Sequence, residues 1–462
     1  MQATDQNTSG VIAHWVSDLA LSDVPADVIE QVKMCLADTL AVAVAGSRMP
    51  LAKKLLASGS RLRGTGNSRV LGGKKTGYCP EFAAQLNASC AHVLDFDDNS
   101  YAGFVHASAV VLPSAIALAQ DTDSSGEDLL VALVAGLEAE LIVGAMTDAV
   151  LYEKGWWTTG VLGAVGSVVS AAKLLRLPAE QVEYAIGLAL CSAGGMKACF
   201  GTDAKAVGAG ISSASGIKLA QLAALGVTGP TRGFESQAGF FSLFNNGVSD
   251  QAHLENIGRV WKILEPGFDI KGIPVCLSAH TAVAALAYLR TKHQFTDEDV
   301  EQITCDVSPI VTRNLIYDQP TTSQQAQFSM MYPMAVTLSR GHFRLKDLSI
   351  ENVLDSAVAR LMKKIKMITS DFWTPEVVKK YPEGATVSVR LKTGELLVEF
   401  LGSPQASIAQ KKLILQRKLP ECFEGFVEKE EQARFTEMIS KLETFNSTAE
   451  ILPRTHDAMQ EA

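Results

Sequence analysis

Five segments of this chain, 107–120, 126–147, 160–175, 179–193 and 207–225, are dominated by alanine, glycine, serine and leucine and carry few β-branched runs. Side chains this small let helix axes approach closely, so the segments predict a tightly packed helical bundle. An amphipathic helix precedes them. Ser22-Asp23-Val24-Pro25 offers a cap with proline in the first turn, and Val28, Val32, Cys35, Leu36 and Leu40 follow at spacings of three and four.

The texture changes near Pro266. Short β-rich runs at 303–308 and 385–401 then alternate with helical patterns at 279–292, 326–340 and 350–363. Within the second run, 386–390 and 396–400 flank Lys392-Thr393-Gly394-Glu395, the pattern of a β-hairpin with glycine at its turn. Such alternation predicts a compact α/β unit. From 407 to 445 the chain turns helical and charged again. The expected fold is therefore mostly α: a large all-helical domain (1–266), a smaller α/β (α+β) lid domain (267–404), and a C-terminal helical segment (405–462) that returns to the first. A length of 462 residues exceeds what one core supports, which agrees with two domains.

Composition narrows the function. Hydrophobic residues make up 47% and charged residues 20%, the balance of an ordered globular protein. A formal net charge of −9 without any basic run argues against nucleic-acid or anionic-membrane partners. The first ten residues show no leader pattern, and the uncharged stretches 99–120 and 156–172 are too rich in Ser, Thr, Gly or His for a membrane span, so a cytoplasmic protein is expected. The eight cysteines are scattered without a C-x-x-C or a clustered His/Cys spacing, so neither a disulfide framework nor a metal centre has sequence support.

Several polar residues could carry proton chemistry. Asp95, Asp97 and Asp98 form an acidic cluster ahead of a Ser/Gly-rich loop, where crowding raises the pKa of at least one carboxyl; capping of the next helix is the simpler role. His106 lies in an uncharged segment and is suited to proton transfer, or is a hydrogen-bonded core histidine. Lys205 sits between Gly201 and Gly210, pointing into a cavity or to solvent. Lys271 and His280 flank Pro274 and could supply a cation and a proton relay; Cys276 between them reads equally as inert packing. Tyr332 could be a core aromatic with its hydroxyl satisfied.

His92-Val-Leu-Asp95-Phe-Asp97-Asp98, followed by His106-Ala-Ser-Ala-Val-Val-Leu-Pro113, resembles the signature of the MmgE/PrpD family, which includes 2-methylcitrate dehydratase, cis-aconitate decarboxylase and iminodisuccinate epimerase. Four further stretches resemble it in order: Gly155-Trp-Trp-Thr-Thr-Gly160-Val-Leu-Gly163, Gly201-Thr-Asp-Ala-Lys205 with Gly210, Lys271-Gly-Ile-Pro274-Val-Cys276-Leu-Ser-Ala-His280, and Ala326-Gln-Phe-Ser329-Met-Met-Tyr332. The resemblance implies a lyase that binds a small di- or tricarboxylate between helical domain and lid, using side-chain acid/base chemistry without metal or organic cofactor, in a homodimer. By position it assigns catalysis to His106, Lys205, Asp95 and Tyr332, and substrate contact to Lys271, His280, Cys276, Asn99 and Trp157. Dehydration, decarboxylation and epimerisation share an early anion next to a carboxylate, so these residues do not choose among them. A rival class is a member that has lost catalysis and serves as a binding or scaffold protein.

Two departures bear on specificity. Trp157 stands where the family pattern has a pocket histidine, and Gly208 where it has a second. An indole cannot shuttle protons and fills more space, which predicts either a bulkier or less polar substrate, such as an alkyl-substituted citrate or aconitate, or a helix-packing tryptophan in a repurposed pocket. Lys197 and Asp203 are polar residues nearby that either compensate in part or are simply surface charges.

Overall fold

The computed structural model describes residues 7–73, 77–402 and 406–456. The leader reading of the first residues, the limit at 404/405 and the end of the C-terminal segment fall largely outside these residues.

The expected mostly α architecture with a smaller α/β part is what forms. One core gathers the helices Thr8–Asp18, Ala26–Gly46, Pro80–His92, Ala107–Asp121, Gly126–Met146, Thr158–Leu174, Ala179–Ser192 and Asp203–Ala224, and the chain returns to it through Cys422, Phe423, Phe435 and Leu442. Glycines allow the close approaches that the small-residue segments predict. A Cβ on Gly136 would lie 2.6 Å from the Gly166 carbonyl, and one on Gly216 would lie 2.3 Å from Ser167 Oγ. Gly126–Met146 is long and apolar enough to cross a membrane by length and composition, yet 94% of its apolar window is buried among the other helices. A helix apolar on all sides belongs at the centre of a bundle.

The second core is built on a four-stranded sheet. Strand β1 (Arg63–Ser68) lies apart, in the helical region, and β2 (Val300–Val307), β3 (Ile365–Ile368), β4 (Ala385–Leu391) and β5 (Leu396–Leu401) form the sheet in the order β3-β2-β4-β5. β2 runs parallel to β3 and antiparallel to β4, and β4–β5 is the expected hairpin. Alternation buries Ile303, Cys305 and Val307 of β2 and Val387 and Val389 of β4 against the helices Leu277–His293 and Met331–Arg340. The pattern at 326–340 breaks at 327–330, between Ser323–Ala326 and Met331–Arg340, and that at 350–363 breaks after Val353.

A third cluster, Val110, Trp157, Phe200, Ala209 and Phe328, joins the two cores, with Phe200 and Phe328 stacked 4.7 Å apart. The proposed site borders it.

Candidate active site

The helix Pro80–His92 ends in a turn where Asp95 adopts a left-handed backbone (φ 47°), a conformation that Asp tolerates better than most residues. The turn swings three buried groups, His92, Asp95 and Asp97, toward one point. Asp97 Oδ2 lies 2.8 Å from His92 Nδ1 and 3.1 Å from His106 Nδ1, and the Asp98 carbonyl is 2.9 Å from His106 Nδ1. Carboxylate and carbonyl oxygens only accept, so both Nδ1 atoms carry hydrogen and both Nε2 atoms are available. His92 Nε2 accepts from the Lys205 ammonium at 2.6 Å, whereas His106 Nε2 stands 3.8 Å from Asp95 Oδ1, beyond hydrogen-bond reach.

Asp95 neutralises two cations. Its Oδ1 lies 2.9 Å from Lys205 Nζ and 3.2 Å from Lys271 Nζ, and Lys271 also donates to the Asp95 carbonyl at 2.8 Å. Three aromatic rings, Phe328, Trp157 and Phe200, surround Lys205 Nζ at 5.5–5.9 Å and keep water from it. Burial raises the Asp95 pKa, but Lys205 and Lys271 more than offset this and hold it well below the usual carboxylate range. Burial likewise acts on Asp97, and His92 and His106 hold it low. Burial, opposed by Asp97, pushes His92 down to about 4. His106 is also lowered, by burial against the pull of Asp97 and with the help of Lys271 and Lys205. Lys271 stays charged: burial disfavours its ammonium, but Asp95 and Asp97 raise its pKa. Within this cluster only His106 has an appreciably accessible side chain, at 16%.

The structure thus brings together Asp95, His106, Lys205 and Lys271 of the expected set. Cys276 and His280 border them without joining the hydrogen-bond cluster. The Cys276 thiol is pushed up to about 11 by burial and Asp95, so it is no nucleophile at neutral pH. His280 Nε2 donates to the Val275 carbonyl at 3.2 Å, and burial with the Lys271 charge pushes it down to about 3. Asn99 pairs its backbone with Asp269, which fixes the Asp95 turn relative to Lys271 two residues on, and its Oδ1 is buried with no hydrogen-bond partner.

Tyr332 does not belong to the site. It is fully buried in the sheet-side core, its ring edge-on to Phe343 and its hydroxyl donating to the Asp347 carbonyl, because the inner face of Met331–Arg340 turns away from the seam. Asp203 accepts from Gln324 and lies 3.7 Å from Lys54, so it too serves elsewhere. His92 and Asp97 are the functional residues that the expected set leaves out, although both stand inside the motif that carries it.

Trp157 stacks on His92 with centroids 5.7 Å apart and is only 3% exposed, so its ring fills space instead of presenting an apolar wall. Its slot is made by two glycines: a Cβ on Gly160 or on Gly208 would lie 2.7 Å from the indole. The two departures from the family pattern are therefore one coupled change. Alanine normally stabilises a helix interior by about 1 kcal/mol over glycine. Here Gly208→Ala is expected to destabilise by about 1–3 kcal/mol through overpacking, and to stabilise once Trp157→His empties the slot. Thermal melts of the four proteins in this cycle check the change of sign.

His92, Asp95, Asp97 and His106 could also hold a metal ion, since their ligand atoms lie within 4.8 Å of one another. The Lys205 ammonium already occupies the space between His92 and Asp95, and Lys271 adds a second positive charge, so this donor set suits internal ammonium groups better than a divalent ion. A groove of about 1510 Å³ touches this region only through Leu94 and Gly272 and is lined by none of the clustered side chains.

A helical bundle and a smaller α/β part thus flank a buried carboxylate–histidine–lysine cluster. The chain belongs to the MmgE/PrpD family: the model of that family's N-terminal domain matches residues 10–252, and that of its C-terminal domain matches 273–444. It is similar to a cis-aconitate decarboxylase-like protein, oryM, of Aspergillus oryzae, 27% identical over 96% of each chain. It is also similar to cis-aconitate decarboxylases of Aspergillus terreus (27% identical; 91% of this chain, 89% of the relative) and Mus musculus (25%; 87% and 84%). At family level these relationships support a lyase or decarboxylase.

Proposed function

We propose that this protein is a cofactor-independent decarboxylase of a small tricarboxylate of the cis-aconitate class. The observation that carries this reading is His106: its Nδ1 is anchored to Asp97 and Asp98, its Nε2 is beyond hydrogen-bond reach of Asp95, its side chain is partly accessible, and two ammonium groups lie near it. Lys205 and Lys271 bind the substrate carboxylates, and desolvation by the aromatic rings strengthens that attraction. Loss of one carboxylate as CO₂ leaves the bonding electron pair on carbon, delocalised toward a neighbouring carboxylate. The ammonium groups stabilise this enolate-like charge. His106 then delivers a proton from Nε2 to carbon. An arriving polyanion raises the depressed His106 pKa and loads that proton.

Dehydration is the second reading, favoured by the neutral state that burial imposes on unliganded His106, since a neutral imidazole is a base. The pH dependence separates the two. His106 lies below its ordinary value near 6.5, so in the free enzyme its protonated fraction grows as pH falls toward and below that value. As a proton donor it makes kcat/KM for cis-aconitate rise from about pH 8 to about pH 6; as a base it leaves kcat/KM for a hydroxylated tricarboxylate near its plateau over the same range and lowers it only as pH falls through the depressed value. The assay uses exhaustively chelated enzyme. Turnover lost on chelation and restored by one metal would overturn the cofactor-independent reading.

A further inference from the structure

The three-residue turn Lys197–Cys199 is tied beside the Trp157 segment, because the Lys197 N–H donates to the Gly155 carbonyl at 3.0 Å. From it, Lys197 places its ammonium 3.1 Å over the ring of Tyr152. That ring stacks on Phe104 at 4.7 Å, and its hydroxyl crosses the seam, donating to Asn314 Oδ1 at 2.9 Å on the lid side. Arg313, the residue before Asn314 on the helix Pro309–Asn314, is exposed.

Among the described residues, neither Lys197 nor Arg313 has a carboxylate within ion-pair distance. The nearby carboxylate of Glu383 is committed, accepting from Ser278 Oγ and Tyr101 Oη, each at 2.6 Å. Two unneutralised cations from opposite sides of a seam repel each other until an anion lies between them. Phe104 connects this place to the site: its carbonyl accepts from Thr158 Oγ1 at 2.5 Å, and His106, two residues on, donates its N–H to Thr159 Oγ1 at 3.0 Å.

We infer that Lys197 and Arg313 form a subsite for one of the two substrate carboxylates that do not react, that of the carboxymethyl arm, bridging helical domain and lid when a tricarboxylate is bound. This rests on the polycarboxylate reading above and adds which carboxylates are read, and by what. Burial and then Arg313 push Lys197 down to about 7, against the opposing pulls of Cys276, Glu153 and Glu383. An anion between the two cations reverses that depression.

The experiment is titration calorimetry of the intact protein with cis-aconitate and with maleate, the dicarboxylate that lacks the carboxymethyl arm. Lys197→Met should weaken cis-aconitate binding about 10- to 100-fold, the range for a charge-assisted hydrogen bond, with far less effect on maleate. Arg313→Gln, at an exposed position without folding risk, should show the same selective loss. Lys197→Arg should recover most of the affinity. Equal weakening of both acids, or no weakening of cis-aconitate by either substitution, overturns the subsite. If the unaltered protein binds neither acid, the polycarboxylate reading falls and takes the subsite with it.

Discussion

His106→Ala should lower kcat/KM for the tricarboxylate by about 10²–10⁴-fold, the contribution of a positioned proton-transfer group, while the protein stays folded. The side chain is partly accessible, and its backbone N–H is held independently by Thr159 Oγ1 at 3.0 Å, so truncation does not unravel the turn. Lys205→Ala should cost at least about 10²-fold in the same measurement, the scale of a lost anion-stabilising group. The two losses should not add. Lys205 orients through His92, and Asp97 Oδ2 is shared by His92 and His106, so the double variant should fall well short of the product. Near-native turnover of either single variant would remove that residue from the mechanism.

The second large effect is on stability. Lys418, on the helix Ile408–Phe423, is buried 2.6 Å from the buried carboxylate of Asp38; its ammonium donates to the Phe96 carbonyl at 2.5 Å and lies 4.0 Å from the Phe96 ring centroid. Lys418→Met strands a buried carboxylate, a change that costs about 3–5 kcal/mol. Its pH dependence has a definite sign. Burial, opposed by Lys418, already raises Asp38 to about 6 in the folded protein. A folded pKa above the unfolded one gives stability that is lost as pH rises through the folded value. Without Lys418 that value climbs further, so the deficit should be larger at about pH 8 than at about pH 5. Denaturant titrations at both values test this, and equal deficits would contradict it.

The helical bundle was legible because small-residue periodicity is a local signal, and the hairpin because Gly394 supplies a left-handed turn (φ 91°) between alternating strands. β1 was not legible: Arg-Gly-Thr-Gly-Asn-Ser has no strand propensity and is held by distant groups, Ser68 Oγ on the Ala117 carbonyl and Asn67 N–H on Asp121. β3, only four residues long, gave no pattern beyond its apolar alternation. In the site, the motif resemblance located the Asp95 turn, His106, Lys205 and Lys271. It could not reveal that one Asp97 oxygen orients two imidazoles, since that geometry needs His92 and His106 to converge from different elements. Tyr332 misled because spacing carries no information about which face of a short helix looks toward the seam. Trp157 and Gly208 read as two separate losses of histidine, and only packing joins them.

The bond from Lys418 to Phe96 spans 322 residues of sequence. Translation is vectorial, so the turn bearing Asp95 and Asp97 leaves the ribosome long before the lysine that braces it from behind. At about 5–20 residues per second, tens of seconds separate Asp38 from the lysine that pairs with it. The buried bond behind the Asp95 turn is therefore among the last contacts that synthesis allows.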